Sequence, residues 1–404
     1  MSSMPEQLLS LVPAALHPTV ANYWHDWAIA CEQAGVSASV DLSVLGKVWA
    51  CSEFVARTCI RWPALLDELA IEGFGAARSP NDYQQRVAQT IATAEPTEEG
   101  LMRALRLLRK KEMVRIAWRD LAGLADVEQV LHELSDFAEA VIAQTLTYLY
   151  QQTTEALGVP KNPLGEPQQM LVLAMGKLGG RELNFSSDID LIFAYAEEGG
   201  TDGGRHLSNH EFFLRLGRKL VRVLDEITAE GFVYRVDTRL RPNGDSGPLA
   251  MNFTAMEHYY QLQGRDWERY AMIKAKIIGG SETESHALTS MLRPFTYRRY
   301  LDFGAFESIR EMKGMIEAEM RRKSMQHNIK LGRGGIREIE FIGQTFQLIR
   351  GGPTPELQER SILKVLSLLA EFGYLEPEEA DNLRQSYLFL RKLENRLQME
   401  LSLI

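Results

Sequence analysis

Two short apolar runs, Met170-Leu-Val-Leu-Ala-Met175 and the segment from Ile189 to Tyr195, limit what this chain can fold into more than anything else in it. Neither run is long enough for a helix of ordinary length, and both lack the alternation of a half-exposed strand. Each reads as a strand covered on both faces. The cover has to come from helices, and the flanking sequence supplies them. From Ser39 to about Asp120 apolar residues recur at helix spacing: Val44, Val48, Trp49, Cys51 and Val55, then Leu101, Leu105, Leu108 and Met113. Gly75 to Asn81 reads as a loop. A long helix is expected over Val127–Leu157, closed by the Gly and Pro punctuation of Gly158-Val-Pro-Lys-Asn-Pro-Leu-Gly165. Ser208-Asn-His-Glu211 has the form of a capping box, opening a helix with Phe212, Leu216, Leu220, Val223 and Ile227 on its buried side. Phe232 to Arg241 reads as a third strand, ended by Pro242-Asn243-Gly244. Beyond about Leu301 the helical pattern returns, interrupted at Gly332-Arg-Gly-Gly335 and Gly351-Gly-Pro353.

The expected fold class is α+β and mostly helical. A helical domain over 1–124 precedes a mixed-sheet domain over 125–301, and a second helical domain follows over 302–404. A length of 404 residues fits two or three domains at roughly 150 residues each. A net charge of −9 argues against a surface built to neutralise nucleic-acid phosphates. Cys31, Cys51 and Cys59 form no close pair, so neither a disulfide framework nor a paired-cysteine metal site is expected, and a reducing cytoplasm is the simplest home. Met1 to Val20 lacks the pattern of a secretory signal, and no run of about 18 apolar residues could cross a membrane.

The chemistry centres on Asp188-Ile-Asp190. On a strand both carboxylates leave one face while Ile189 turns to the core. In the third strand Arg235, Asp237, Arg239 and Arg241 share a face, with Tyr234, Val236 and Leu240 opposite. If the two strands are neighbours, three carboxylates converge. Two unit charges about 4 Å apart repel by about 4 kcal/mol at an effective dielectric of about 20, so such a trio calls for cations. All-oxygen ligation favours Mg²⁺ or Mn²⁺ over zinc, and two ions about 3.5–4 Å apart could clamp a displacement at phosphorus. Upstream, Gly176-Lys-Leu-Gly179-Gly180 follows the first strand, and Ser186 and Ser187 lead into the acidic one. Adjacent glycines allow backbone N–H groups to approach phosphate oxygens, and the two serines add hydroxyl donors. Asp-x-Asp alone is common on solvated strand ends. Following Gly-Gly by eight residues, it is specific.

With these motifs the chain resembles the DNA polymerase beta-like nucleotidyltransferase superfamily, and within it the glutamine synthetase adenylyltransferase family. The likeness covers about Leu101 to Leu397. It is carried by Gly176–Gly180, Asp188–Phe193, Tyr234-Arg-Val-Asp-Thr-Arg-Leu-Arg-Pro242, Asp266-Trp-Glu268 and Ile329-Lys-Leu-Gly-Arg-Gly-Gly-Ile-Arg-Glu-Ile-Glu-Phe341. The resemblance implies a protein of two nucleotidyltransferase halves, one attaching AMP to glutamine synthetase and one removing it with inorganic phosphate as co-substrate and ADP as product. Leu183–Asp190 and Gly264–Tyr270 resemble the N-terminal, removing half. The chain is then expected to be part of a protein about twice as long, fused to an AMP-attaching half and regulated by a PII-type nitrogen signal protein. Met399 to Ile404 depart from the family's continuation and read as a foreign tail. The implied catalytic and metal-holding residues are Asp188, Asp190 and Asp237. Lys177, Gly179, Gly180, Ser186, Ser187, Arg239 and Arg241 are expected on the nucleotide and its phosphates. Phosphorolysis suits the residues, because phosphate with a second pKa of about 6 needs no dedicated base to become a nucleophile.

Further residues carry weaker expectations. Trp267, Glu268, Lys274 and Lys276 line or support the nucleotide pocket, or else form a packed tryptophan with a solvated rim. Arg337, Glu338 and Glu340 are placed near the site by the resemblance, whereas periodicity alone makes them a helix start. Arg103, Arg106, Arg109, Lys110, Lys111 and Arg115 form a basic stretch, read as a solvated helix face or a dock for an acidic partner. His206 and His210 have a metal-like spacing, but the capping box puts the helix start between them. Three rival functions remain: forward attachment of AMP from ATP, action on nucleic acid, and a catalytically idle module that binds signal proteins. The acidic balance weighs against the second and the three aspartates against the third.

Overall fold

The described residues ahead of the sheet form α1 (His17–Ala34), α2 (Leu42–Cys51), α3 (Glu53–Arg61), α4 (Leu65–Glu72), α5 (Pro80–Thr93), α6 (Glu98–Ala122) and α7 (Val127–Leu157). Local chemistry sets their starts: the side chains of Asp41, Ser52, Ser79, Thr97 and Asp126 accept from backbone N–H groups of the first turn. The middle of the chain runs β1 (Pro160–Lys161), β2 (Met170–Ala174), α8 (Gly176–Gly179), β3 (Ile189–Tyr195), β4 (Gly200–Thr201), α9 (Asn209–Asp225), β5 (Val236–Asp237), β6 (Ala250–Asn252), α10 (Phe253–Leu262), α11 (Asp266–Met272), β7 (Lys276–Ile278) and α12 (Glu282–Thr296). The last described helices are α13 (Ile336–Arg350), α14 (Ile362–Glu371) and α15 (Pro377–Glu400). This computed structural model describes residues 4–36, 40–204, 206–298 and 328–400, with single positions at 307, 310, 311, 313 and 314. The domain boundary expected at 301 and the tail residues 401–404 lie outside the described residues.

The main sheet has the order β5-β3-β2-β7, with β6 also paired to β3. β2 is antiparallel to β3 and β7. β5 and β6 are both parallel to β3, β5 beside Ile189 and Asp190 and β6 beside Phe193 to Tyr195. Strand alternation sends Val172, Ala174, Leu191, Phe193 and Tyr195 into a core shared with α6, α7 and α9. Leu171, Leu173, Ile192 and Ala194 enter a second core with Met256, Tyr259, Leu288 and Leu292 from α10 and α12. Each fully buried Leu, Ile or Phe contributes about 1.5–3 kcal/mol, which is why both runs are apolar throughout. A third core, including Ile336, Ile339, Leu366 and Tyr387, holds α13, α14 and α15 together. The boundary expected after 124 falls in the turn from α6 to α7, where Gly123 takes a left-handed cap, while the first core runs through both helices.

Four expectations need correction. Only Val236–Asp237 of the third strand pairs with the sheet; ahead of it, the N–H groups of Val233 and Tyr234 both donate to the carbonyl of Leu224, 2.9 Å away, so the segment is tied to the end of α9. Ile227 lies past the end of α9 and is 78% exposed, although the Ser208/Glu211 capping box starts that helix as expected. The basic stretch on α6 is largely internal. Arg106 donates to the carbonyls of Gly231 at 2.7 Å and Val223 at 3.2 Å and to that of Glu226, closing the C-terminal end of α9. Arg109 packs over the rings of Phe232 and Tyr234, 5.0 and 5.8 Å from their centroids. Arg115 is buried between Glu112, Glu133 and Tyr83. Spacing alone does not separate a solvated basic face from one that satisfies buried carbonyls and carboxylates. Met399, read as tail, is a fully buried residue of α15, and its carbonyl accepts from Ser52 at 3.3 Å. Arg396 on the same helix reaches Asp120 at 2.9 Å.

Arg106→Ala leaves the carbonyls of Val223 and Glu226 without the donor they have here, and each orphaned group costs about 1–3 kcal/mol. Urea unfolding is expected to show at least that loss. Arg103→Ala, whose side chain is 69% exposed, should stay within about 0.5 kcal/mol of the parent. Equal effects of the two changes would contradict the internal role of Arg106.

Candidate active site

Asp190 and Asp237 are register partners of the parallel β3/β5 pair, so their carboxylates leave the same face of the sheet. Asp188, one residue ahead of β3, joins Asp190 on the wall of one compartment. The three carboxylates expected to converge lie near enough for the charges of Asp237 and Asp188 to act on Asp190, without closing into a metal cage among the described residues. Asp188 is exposed and ion-paired with Arg235. Asp237 accepts from Nε of Arg239 at 2.9 Å, and that guanidinium holds its carboxyl below the usual range. Asp190 is mostly buried. Burial pushes it up to about 6, the charges of Asp237 and Asp188 add to the shift, and Lys330 and Arg239 oppose it.

Two clefts meet at Asp190, and Lys177 and Lys330 border both. The larger, 840 Å³, is lined by Asp190 with Gly176, Lys177, Arg239 and Lys330, and also by Trp267, Tyr270, Ala271, Leu240 and Leu331. The smaller, 380 Å³, is lined by Asn184, Ser186, Ser187, Asp188, Glu394 and Gln398. Lys177 donates to Asn184 and Glu394, each at 3.0 Å, and burial brings its ammonium down to about 7. The residues suit a hard divalent cation: the donors are carboxylate oxygens, and Asp190 is short of positive charge. Among the described residues no three His, Cys, Asp or Glu side chains stand as a ready metal cage. Arg235 and Arg239 hold the outer two carboxylates and would have to give way.

Several expected residues are placed elsewhere. Gly179 and Gly180 do not face the clefts. Their N–H groups donate to the carbonyls of Met175 and Gly176, and a Cβ on Gly179 would overlap the carbonyl oxygens of Lys274 and Ala174. They are glycines for close packing. Gly176 is the one beside the acids: its φ is +55°, and a Cβ there would lie 3.2 Å from Oδ2 of Asp190. Arg241 is spent on the carbonyls of Thr238 and Gly247. Glu268 is buried, capping α11 through the N–H of Arg265 at 2.9 Å and accepting from the Tyr259 hydroxyl. Lys276 turns to Glu139 on α7. Glu338 accepts from the N–H of Gly334 at 2.6 Å. Trp267, Lys274, Arg337 and Glu340 do line the large cleft. Lys330, Gly176, Tyr270, Gln344, Glu394 and Gln398 were missed. Lys330 and Gly176 lay inside quoted motifs, but nothing in the sequence tied α15 to the glycine turn.

A family model described as glutamate-ammonia ligase adenylyltransferase matches residues 42–291, and one described as GlnD PII-uridylyltransferase matches residues 310–401. A bifunctional glutamine synthetase adenylyltransferase/adenylyl-removing enzyme from Nitrosococcus oceani is 54% identical over 96% of this chain and 40% of its own length. A protein of the same description from Thioalkalivibrio sulfidiphilus is 49% identical over 99% of the chain and 41% of its own length. The chain thus spans about two fifths of the length of these relatives. No helix of the described residues is long and apolar enough to cross a membrane.

The charge balance at Asp190 has a measurable consequence without any ligand. A carboxyl raised to about 6 from 3.8 keeps its proton in the native state where the unfolded chain has lost it, so this residue's contribution falls as pH rises from 4 to 6. Asp190→Asn in chelator is therefore expected to be more stable than the parent above pH 6, by at most about 3 kcal/mol, with the gap closing toward pH 4. Urea titrations at several pH values measure it, and millimolar Mg²⁺ should shrink the gap by binding only the parent. A gap independent of pH would show that the neighbouring acids do not oppose ionisation there.

Proposed function

We propose, on the premise that this chain belongs to the glutamate-ammonia ligase adenylyltransferase family, that it removes AMP from an adenylylated tyrosine of glutamine synthetase by metal-dependent phosphorolysis in the cytoplasm. The observation that carries this reading is that Asp190, paired in register with Asp237 and sharing a compartment wall with Asp188, borders two compartments that share Lys177 and Lys330. Asp188, Asp190 and Asp237 would hold one or two Mg²⁺ or Mn²⁺ ions, which when bound supply charge neutralisation at the reacting phosphorus. Lys177 and Lys330 orient phosphate oxygens on either side of that point, and Arg239, once released from Asp237, is a third cation within the large cleft. An oxygen of inorganic phosphate forms the new bond to phosphorus, the bond to the tyrosyl oxygen breaks, that oxygen takes up a proton, and ADP leaves. The direction is favoured by the likeness of Leu183–Asp190 and Gly264–Tyr270 to the removing half, and by phosphate being an anionic nucleophile that needs no dedicated base. On the same footing, a PII-type signal protein is the regulator, in keeping with the similarity of residues 310–401 to a PII-uridylyltransferase model, and an AMP-attaching half completes the full-length protein.

Incubation with AMP-modified glutamine synthetase, Mg²⁺ and labelled phosphate is expected to place the label in the β position of ADP. Release of AMP, or turnover indifferent to phosphate, would refute phosphorolysis; pyrophosphate release from ATP would reverse the direction. Asp190→Asn is expected to lower turnover by on the order of a hundredfold or more, with the fold retained by circular dichroism. Parent-like turnover in that variant would remove Asp190 from the reaction.

A further inference from the structure

Two neighbouring helices, in contact through the rings of Tyr270 and Phe341, line the large cleft. From α11 come Trp267, Tyr270 and Ala271, spaced i, i+3 and i+4, and from α13 come Arg337, Glu340 and Gln344, spaced i, i+3 and i+7. Seven residues of helix carry the α13 wall about 10 Å from its charged start to Gln344. In the same cleft the charged groups of Lys177, Lys274, Lys330, Arg337 and Glu340 are joined by Leu240, Leu331, Ala271 and the rings of Trp267 and Tyr270. Trp267 is 38% exposed although its neighbour Glu268 is buried, so a large aromatic face is left open within a concave surface.

Gln344 is the unexplained member of this wall. It is 4% exposed, and its side-chain amide has no hydrogen-bond partner among the described residues, whereas Gln347, one turn further on, gives its amide to the carbonyls of Leu357 and Glu359. Its amide atoms are not among the fully buried polar atoms left without a partner, so they stay open to the cleft. Placed on a cleft wall, it is a group held ready for a ligand.

We propose that Gln344 reads the nucleobase of the bound nucleotide and selects adenine, with Trp267 packing against the ring. Adenine carries an amino donor beside a ring-nitrogen acceptor, and a glutamine amide offers the complementary acceptor and donor in one plane. The rings of Trp267 and Tyr270 favour a flat ring over a second phosphate, while Lys177 and Lys330 take the phosphates. This rests on the reading of the cleft as a nucleotide site and adds to it the residue that distinguishes one base from another.

The test is titration calorimetry of the full chain with Mg²⁺ and ADP, inosine diphosphate or uridine diphosphate. The parent is expected to bind ADP at least tenfold more tightly than inosine diphosphate, whose base carries a carbonyl where adenine carries the amine. Gln344→Leu should weaken ADP by ten- to a hundredfold and leave inosine and uridine diphosphates nearly unchanged, closing the discrimination. Gln344→Glu keeps the acceptor for the amine and loses the donor, so it should fall between. Trp267→Ala should weaken ADP and inosine diphosphate alike. Unaltered ADP affinity in Gln344→Leu, or equal loss for all three nucleotides, overturns the base-reading role and leaves the proposed activity standing. Failure of the parent to bind any of the three overturns the nucleotide reading of the cleft itself.

Discussion

The Lys274 ammonium, buried between Glu182 at 2.6 Å and Glu340 at 2.7 Å, is the contact on which the arrangement of the cleft depends. Burial works against its charge, but the two carboxylates hold it well above lysine's usual value, and Lys274 in turn holds Glu340 well below the usual carboxylate range. Glu182 follows the glycine turn, Lys274 follows α11, and Glu340 lies on α13, so a single buried cation joins three walls. The same Glu182 accepts from the N–H of Ile362 at the start of α14, and its carbonyl accepts from Arg391 on α15 at 2.6 Å. Removing one partner of such a set leaves a buried charge uncompensated, a loss of about 3–5 kcal/mol in comparable pairs. Cleft shape and the docking of the C-terminal helices therefore rest on one electrostatic joint.

The acids of β3 and β5 show the opposite economy of charge. Asp190 is partly buried with two like charges near it, which Lys330 and Arg239 offset only in part, so its ionised form is held at a cost that a bound cation would relieve. Arg235 and Arg239 moderate that cost at Asp188 and Asp237 and leave Asp190 the strained member. Lys177 is comparably poised: burial favours its neutral form, while Glu394 favours the charged one. Groups balanced this closely between charge states respond to whatever enters the cleft, in contrast with the saturated network around Lys274.

What could be read from the sequence follows the range of the forces involved. β2 and β3 were legible because burial on both faces leaves no polar position, and the bounds of α7 because Asp126 and Gly158 are local signals. The convergence of Asp188, Asp190 and Asp237 was legible through strand alternation. The third strand was overextended, because the carbonyl of Leu224 competes for the N–H groups of Val233 and Tyr234 and spacing does not show it. Gly179 and Gly180 were assigned to phosphate because a glycine pair looks the same whether a ligand or a neighbouring carbonyl needs the room. Glu394 and Gln398 were invisible for a simpler reason: they lie more than two hundred positions from the residues they touch.

α15 is one continuous helix of 24 residues, about 36 Å long, and its contacts are distributed along it. Tyr387 and Arg391 sit in the electrostatic joint, and Glu394 and Gln398 close the small compartment against Lys177 and Ser186. Arg396 and Met399 meet α6 and the start of α3. A hydrogen-bonded helix of this length transmits displacement along its axis with little loss. The floor of the small compartment is therefore levelled from outside it, by the seating of a single rod among helices that lend that compartment no side chain.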